Sequence, residues 1–478
     1  MKNFNLTFLT LFFSCLSSFL QANNQTNTID TPIPETTLPF RIRIAQANFS
    51  FPVVSNQDGT TSSGIQAFGY GAYKNKRIFL AGRTAGVHWL NNTNSFLPSQ
   101  QNTYIYVLNL DTNTISYRSL EDPSSLLSQN DIDILSVVAP QSVQLGDFLY
   151  LVGGYGYNHT ISNFETSNVA TVIDLPKAIN WVANGEDSFL SCITYIEDPY
   201  LQVTGGGALN ANRHKPILLC LGQNFEGSYT LSSNGQYTNQ IRGFYFLNSS
   251  TDSIIKATQY PQDENYRRRD LNTVPIIKKE NNTYVPALVC FSGVFTPDTG
   301  VWTVPIIVDE EGDSYMQNPD DPDTIKQGMN AYHCAHASLF SIKDNKSFVL
   351  FFGGITFQYY ENGLYITDTL IPFTNNVTTI TIDKNMKMQQ YLMSAEFPTI
   401  NYPNSSAPSY FGTHGKFIPM YNEQFLNEVI AFDKLFIGKE VLIGYIVGGI
   451  QSSGRNTGGV PGTSIPSSYI FEVYLTKN

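Results

Sequence analysis

Short apolar and aromatic runs that end in glycine recur along the chain. They read RIFLAG, FLYLVGG, PILLCLG, ALVCFSG, FVLFFGG and GYIVGG, and they end at Gly82, Gly154, Gly222, Gly293, Gly354 and Gly449. Between them lie alternating aromatic runs with a polar turn, such as YIYVLNLDTNTISYRSL, in which Asn and Asp suit a hairpin. Period-two alternation bounded by turn residues predicts strands. The repeat therefore predicts an all-β fold made of similar units, each of about four strands.

The Gly-Gly strand ends and the aromatic hairpins after them resemble the repeats of kelch-type β-propellers, the superfamily that includes galactose oxidase. The resemblance covers residues 40–478 and implies a single propeller with six four-stranded blades. Seven blades are the alternative, because the segment between Gly354 and Gly449 is longer than the others. The fold explains the glycines, since the chain turns sharply near a crowded axis, where a Cβ atom would clash.

The two ends of the repeat region each carry a spare strand pattern. FRIRIAQANF begins at Phe40, before the first glycine run, and SSYIFEVYLTKN ends the chain after the last one. If these two strands pair in one blade, the ring is closed and no sheet edge stays exposed. We therefore predict that pairing of the N-terminal and C-terminal strands closes the propeller.

The first residues have the character of an export signal. Lys2 supplies a positive charge, residues 4–20 form an apolar stretch, and Ala22 is a small residue suited to cleavage. We assign residues 1–22 to a signal peptide, residues 23–39 to a polar linker and residues 40–478 to the propeller. No later run approaches the roughly 20 apolar residues of a membrane span. The protein is thus expected to be secreted or periplasmic, with no membrane span.

Composition narrows the range of partners. The net charge is −11, charged residues are 14 % and aromatic residues are 13 % of the chain. Without a cationic excess to neutralise phosphates, we expect no nucleic-acid partner. The one basic cluster, Arg267-Arg268-Arg269, is predicted to be a solvated loop between strands.

The four cysteines of the mature chain are predicted to be small buried residues rather than a disulfide framework. Cys220 and Cys290 lie inside apolar runs of different repeats, so joining them would require strands of separate units to touch. A bridge between Cys192 and Cys220 is the alternative.

The segment AYHCAH contains the densest group of potential ligands. Tyr332 and His333 look like the adjacent Tyr-His pair with which galactose oxidase relatives bind copper, and His414 is the one plausible second histidine. The resemblance implies copper as an alternative. We expect these residues to serve structure instead, with no metal and no cofactor.

Aromatic and arginine side chains fall just after the glycine strands, where propeller loops gather at one face of the channel. Rigid loops that carry Tyr and Arg suit stacking on sugars or anchoring of a protein partner. We therefore predict an exported, non-catalytic binding propeller for a carbohydrate or protein. The alternative is an exported enzyme, either a copper-radical oxidase or a sugar mutarotase or isomerase. The candidate binding residues are Arg83, Tyr155, Tyr332, His333, His414 and Arg455.

Overall fold

The computed structural model describes residues 31–88, 96–210, 214–230, 235–246, 253–298, 300–420, 428–435, 439–457 and 460–478. The predicted signal peptide, residues 1–22, and residues 23–30 of the predicted linker lie outside the described residues. The described chain is all-β in a propeller arrangement, with two α-helices, Gln129–Leu135 and Leu175–Asn184. In these ranges neither helix has the length and apolar character needed to cross a bilayer.

The first four sheets each have four antiparallel strands, which follow one another from the axis outward. Sheet 1 contains Gly69–Tyr73, Lys76–Leu80, Tyr104–Asn109 and Thr114–Ser119. Sheet 2 contains Gln141–Leu145, Phe148–Val152, Val169–Asp174 and Ile193–Glu197. Sheet 3 contains Gly207–Asn210, Ile217–Cys220, Ile241–Phe246 and Ile254–Gln259. Sheet 4 contains Asn272–Glu280, Thr283–Phe291, Ile306–Val308 and Ser314–Met316.

The last two sheets use segments that are distant in sequence. The main strands of sheet 5 are Ala335–Ser341, Lys346–Ile355, Phe373–Ile382 and Met388–Glu396. Two short parallel strands extend this sheet, Ile430–Ala431 at its inner edge and Ile33–Pro34 at its outer edge. Sheet 6 contains Gly415–Pro419, Glu440–Gly448, Tyr469–Lys477 and Phe40–Ser50.

The predicted count of six or seven four-stranded blades is wrong. Five sheets have four strands, and sheet 5 has six. Its extra strands arise because Ile33–Pro34 pairs with Tyr391 and Leu392, and Ile430–Ala431 pairs with Leu339 and Phe340. Such pairing covers strand edges that would otherwise expose unpaired N–H and C=O groups.

Five two-stranded ribbons complete the β-structure, and four of them follow closely after a glycine run. They are Val53–Ser55 with Thr61–Ser63, Tyr155–Asn158 with Asn163–Thr166, Gln223–Asn224 with Gln236–Tyr237, Gln358–Glu361 with Leu364–Thr367, and Ile450–Ser452 with Ser464–Pro466.

Apolar side chains fill the space between neighbouring sheets. One cluster joins sheets 1 and 2, and comparable clusters join each following pair up to sheets 5 and 6. A further cluster brings Phe79 and Tyr106 of sheet 1 against Tyr445 and Val447 of sheet 6. In the last sheet, Phe40–Ser50 lies antiparallel to the C-terminal strand, with Phe40 opposite Lys477.

The six glycines singled out in the sequence share one conformation. Their φ angles lie between +83° and +108°, and a Cβ atom on any of them would come within 2.5 to 2.9 Å of a neighbouring atom. The prediction that a side chain would clash at these positions is confirmed. The four cysteines are free and buried, as predicted. Cys220 and Cys290 nevertheless share one core cluster, so strands of separate units do touch there.

Candidate functional site

Six residues with left-handed backbone lie at matching places, one or two residues before the strand nearest the axis in each sheet. Their φ angles lie between +45° and +64°, a region that residues other than glycine rarely adopt. Five of their N–H groups donate to the carbonyl of the corresponding residue in the preceding sheet, over 2.6 to 3.4 Å. We call this set the collar, and its members are Ala67, Ala139, Gly205, Asp270, His333 and His414.

The two halves of the collar differ in chemistry. Sheets 1, 2 and 3 contribute alanine or glycine, whereas sheets 4, 5 and 6 contribute Asp270, His333 and His414. Oδ1 of Asp270 lies 3.5 Å from Nδ1 of His333. The ring centroids of His333 and His414 are 4.1 Å apart. A carboxylate and two imidazoles thus form a continuous arc on one side of the channel mouth.

Arg269 extends this arc toward the loops of sheet 3. Its Nε lies 3.5 Å from Oδ2 of Asp270. Its Nη1 donates to Oε1 of Gln223 at 2.8 Å, and its Nη2 donates to the hydroxyl of Tyr229 at 2.6 Å. Since three neighbours fix the guanidinium, the arginine holds its charge beside Asp270 in a defined orientation.

His88 connects Tyr229 to a second arginine. The imidazole lies edge-on to Tyr229 at 4.7 Å and stacks on Phe96 at 5.0 Å between ring centroids. The guanidinium of Arg83 lies 4.5 Å from the Phe96 ring, and its Nη2 donates to Oε1 of Gln100 at 2.7 Å. These contacts connect the arc to the loops of sheet 1.

We call the polar groups gathered here the mouth cluster. It consists of Arg83, His88, Tyr229, Arg269, Asp270, Tyr332, His333 and His414.

The carboxyl group of the mouth cluster is ionised. Burial opposes ionisation of Asp270, but the neighbouring imidazole of His333 and the charge of Arg269 hold the pKa of Asp270 well below its usual value. Asp270 therefore stays a hydrogen-bond acceptor at any pH at which the protein is expected to work.

Burial shifts the pKa of four further groups of the mouth cluster. Burial, together with the charges of Arg83 and Arg269, lowers the pKa of His88 to about 3. Burial also lowers the pKa of His414 well below its usual value, and it raises the pKa of the Tyr332 phenol. Burial lowers the pKa of Arg83 to about 10, so this side chain remains charged at neutral pH. The mouth cluster thus contains two arginines and one carboxylate.

Three imidazole nitrogens at the mouth are buried without a hydrogen-bond partner in the described part of the chain. They are Nδ1 of His88, His333 and His414. The 3.5 Å approach of His333 to Asp270 exceeds ordinary hydrogen-bond length. Buried polar atoms are nearly always hydrogen-bonded in proteins. Three such exceptions lie at the mouth of the channel.

The structure brings some of the predicted binding residues together. His333 and His414 are neighbours in the collar, and Tyr332 lies close enough to Asp270 for that charge to raise its pKa. Arg83 belongs to the same mouth, although its side chain is buried.

Two other candidates have different surroundings. Tyr155 is buried, its hydroxyl donates to the carbonyl of Gly227 at 2.6 Å, and its ring stacks on Phe164. Arg455 pairs with Glu361 at 3.0 Å and lies 4.2 Å from the Tyr359 ring. Both side chains therefore use their polar atoms within the fold.

The prediction that Arg267-Arg268-Arg269 forms a solvated loop is wrong. Arg268 has no exposed surface, and Arg269 has 11 % of its side chain exposed. Arg269 and Asp270 were consequently not among the predicted site residues. The sequence does contain a signal for them. Asp270, the last residue of RRRD, lies two residues before the inner strand of sheet 4, and His333, the last residue of AYH, lies two residues before the inner strand of sheet 5.

The proposed copper ligands do not form a metal site with carboxylate, thiolate or imidazole partners. Across the described ranges, no group of three His, Cys, Asp or Glu side chains is arranged to hold a metal ion.

No protein-family model matches the chain, and no curated protein matches it. A solved structure titled "Structure of YjhT" is similar with a TM-score of 0.45 and 11 % sequence identity, over 87 % of this chain and 98 % of that chain.

Proposed function

We propose that this protein is an exported binding propeller that holds a carbohydrate at the mouth cluster. The three unpartnered imidazole nitrogens beside the ionised Asp270 carry the proposal. A sugar hydroxyl both donates and accepts hydrogen bonds, so one ligand can satisfy imidazole nitrogens and a carboxylate together. Export is supported by the signal-like character of residues 1–22.

The shape and charge of the mouth favour a small carbohydrate over a protein surface. Asp270 and His333 each have only 26 % of their side chains exposed, so a partner must enter the mouth to reach them. The rings of Tyr229 and Tyr332 supply faces for stacking on a sugar. The excess of positive charge, in a chain of net charge −11, further suits a sugar that carries an acidic group.

Catalysis on a sugar is the second candidate. Mutarotation and isomerisation need one group that accepts a proton and one that donates it. In the arc, the Asp270 carboxylate lies 3.5 Å from Nδ1 of His333, and the ring centroid of His333 lies 4.1 Å from that of His414. This observation favours a mutarotase or isomerase over other enzyme classes.

Binding is tested by calorimetry with glucose and glucuronate on the wild type and two histidine variants. His414→Phe keeps a ring against His333 but removes the ring nitrogens that would form hydrogen bonds with the sugar. We expect it to weaken binding by about 10- to 100-fold, or about 1.4 to 2.7 kcal/mol. The control is His159→Phe, which changes a histidine that is 44 % exposed and paired with Asp133.

Equal affinity of wild type and His414→Phe would exclude the mouth as the site, and binding of neither sugar would exclude this ligand class. Exchange spectroscopy by NMR on the same samples separates the two candidate functions. Accelerated exchange between the anomers, lost in Asp270→Asn, would indicate catalysis rather than binding alone.

We also propose that the sheets form a closed ring of the kelch type. The apolar cluster between sheets 6 and 1 supports closure, as does the hydrogen bond from the Ala67 N–H to the His414 carbonyl. Pairing of Phe40–Ser50 with the C-terminal strand supplies the junction between the chain ends.

A cross-link between the terminal strands tests this closure. Arg43 lies opposite Tyr474 in the pairing, so we expect Arg43→Cys with Tyr474→Cys to form a disulfide in most molecules on mild oxidation. The mobility shift on a non-reducing gel measures it. Arg43→Cys with Tyr117→Cys, which lies in sheet 1, is the matched control. Equal cross-linking in both pairs would contradict closure.

A further inference from the structure

The central channel widens beyond the collar into a cavity of about 470 Å³. The inner strands of all six sheets line it, and most lining groups are backbone or small side chains. Three titratable side chains among them lie together on the side of sheets 5 and 6: His336, Lys416 and Glu428. The volume matches that of cavities that bind small molecules in proteins.

Lys416 differs from lysines at the protein surface. It lies in the inner strand Gly415–Pro419, partly buried, and within the described ranges its ammonium group makes no hydrogen bond or ion pair. By contrast, Lys177 pairs with Asp174 at 3.1 Å and is 56 % exposed. An amine that lines a cavity without a fixed partner is free to meet a ligand there.

The groups around Lys416 come from three directions. Glu428 precedes the short strand Ile430–Ala431, His336 lies in the inner strand of sheet 5, and Tyr70 lies in that of sheet 1. Nδ1 of His336 approaches the Cys334 carbonyl at 3.0 Å, so this ring is held within the fold. Among the three neighbours Glu428, His336 and Tyr70, Glu428 is the carboxylic acid.

We propose that Lys416 is a nucleophilic amine that captures a small aldehyde inside the channel cavity as an imine. This inference goes beyond the proposed function, which concerns the mouth cluster, although His333 and His414 of that cluster also line the cavity. Small aldehydes, including hydroxyaldehydes, fit both the volume of the cavity and its polar backbone lining.

The chemistry of the step balances with the groups present. The amine nitrogen bonds to the carbonyl carbon, and the carbonyl oxygen gains a proton to give a carbinolamine. Glu428 then donates a proton to the departing hydroxyl, which leaves as water. The nitrogen loses its remaining proton to the Glu428 carboxylate as the C=N bond forms.

Desolvation acts on both partners of this step. It lowers the pKa of the half-buried Lys416, which increases the share of neutral amine, and it raises the pKa of Glu428, although the side chain of Glu428 is exposed. Burial also lowers the pKa of His336 to about 4, so this ring adds no positive charge at neutral pH.

The test is reductive trapping on the wild-type protein. The purified chain is incubated with glycolaldehyde and cyanoborohydride at pH 7, and adducts are located by peptide mass spectrometry. We expect the initial rate at Lys416 to exceed that at Lys177 several-fold, because burial lowers the pKa of Lys416 whereas the contact with Asp174 raises that of Lys177. Lys416→Arg should remove this adduct and leave labelling of Lys177 unchanged.

Glu428→Gln is expected to slow trapping at Lys416 while the amine remains in place. Labelling of Lys416 no faster than that of Lys177 would overturn the proposal, and so would fast labelling that Glu428→Gln does not slow. Because the primary comparison uses the wild type, it does not depend on whether a variant folds.

Discussion

Replacing Arg268 with alanine is expected to lower the free energy of unfolding by about 4 kcal/mol. The guanidinium has no exposed surface and lies 4.5 Å from the Trp302 ring. Its Nη1 donates to the carbonyls of Ser292 and Val304 at 3.2 and 3.1 Å, and its Nη2 donates to that of Asn265 at 3.2 Å. The substitution would leave three carbonyls without these donors and open a cavity.

Urea denaturation followed by fluorescence measures the change. Arg268→Lys should recover little stability, because one ammonium cannot serve carbonyls arranged around a planar guanidinium. Arg41→Ala, on an exposed position of strand Phe40–Ser50, is the control and should change the free energy by less than about 0.5 kcal/mol. A loss below about 1 kcal/mol for Arg268→Ala would show that the buried charge contributes little.

Gly82→Ala is expected to cost about 3 kcal/mol, the sum of a left-handed backbone penalty and a steric clash. At this residue φ is +84°, and a Cβ atom would lie 2.5 Å from the Gln66 carbonyl oxygen. The matched variant is Gly363→Ala, where φ is +78° but a Cβ atom meets nothing within 4 Å. It should lose only about 1 kcal/mol.

The difference between the two alanine variants isolates the cost of close approach, since both share the backbone penalty. Thermal or urea unfolding of the two variants measures this difference in the free energy of unfolding. Equal losses would mean that the strand of Gly82 can shift away from Gln66, and that packing near the axis does not require glycine there.

The repeat and its glycines could be predicted because their signals are local. A run of apolar residues ending in glycine reports a strand followed by a sharp turn, whatever lies elsewhere in the chain. The added strands of sheet 5 have no such signal. Ile33–Pro34 and Ile430–Ala431 are too short for a period, and their partners are distant in sequence.

The candidate site was only partly accessible from the sequence for a related reason. His333 and His414 are candidate site residues by residue type alone. Asp270 becomes a candidate only because it lies beside His333 in the folded chain. Arg268 was predicted to be solvated because charge usually marks the surface. The Trp302 ring that receives it belongs to a later segment, so only the folded chain shows the contact.

The collar has a mechanical consequence for how this protein can diversify. Five N–H groups of the collar donate to carbonyl groups of a neighbouring sheet, so displacing one sheet strains the hydrogen bonds that join it to its neighbours. The collar residues are therefore under joint constraint, and the geometry of the mouth depends on several sheets rather than on any one repeat.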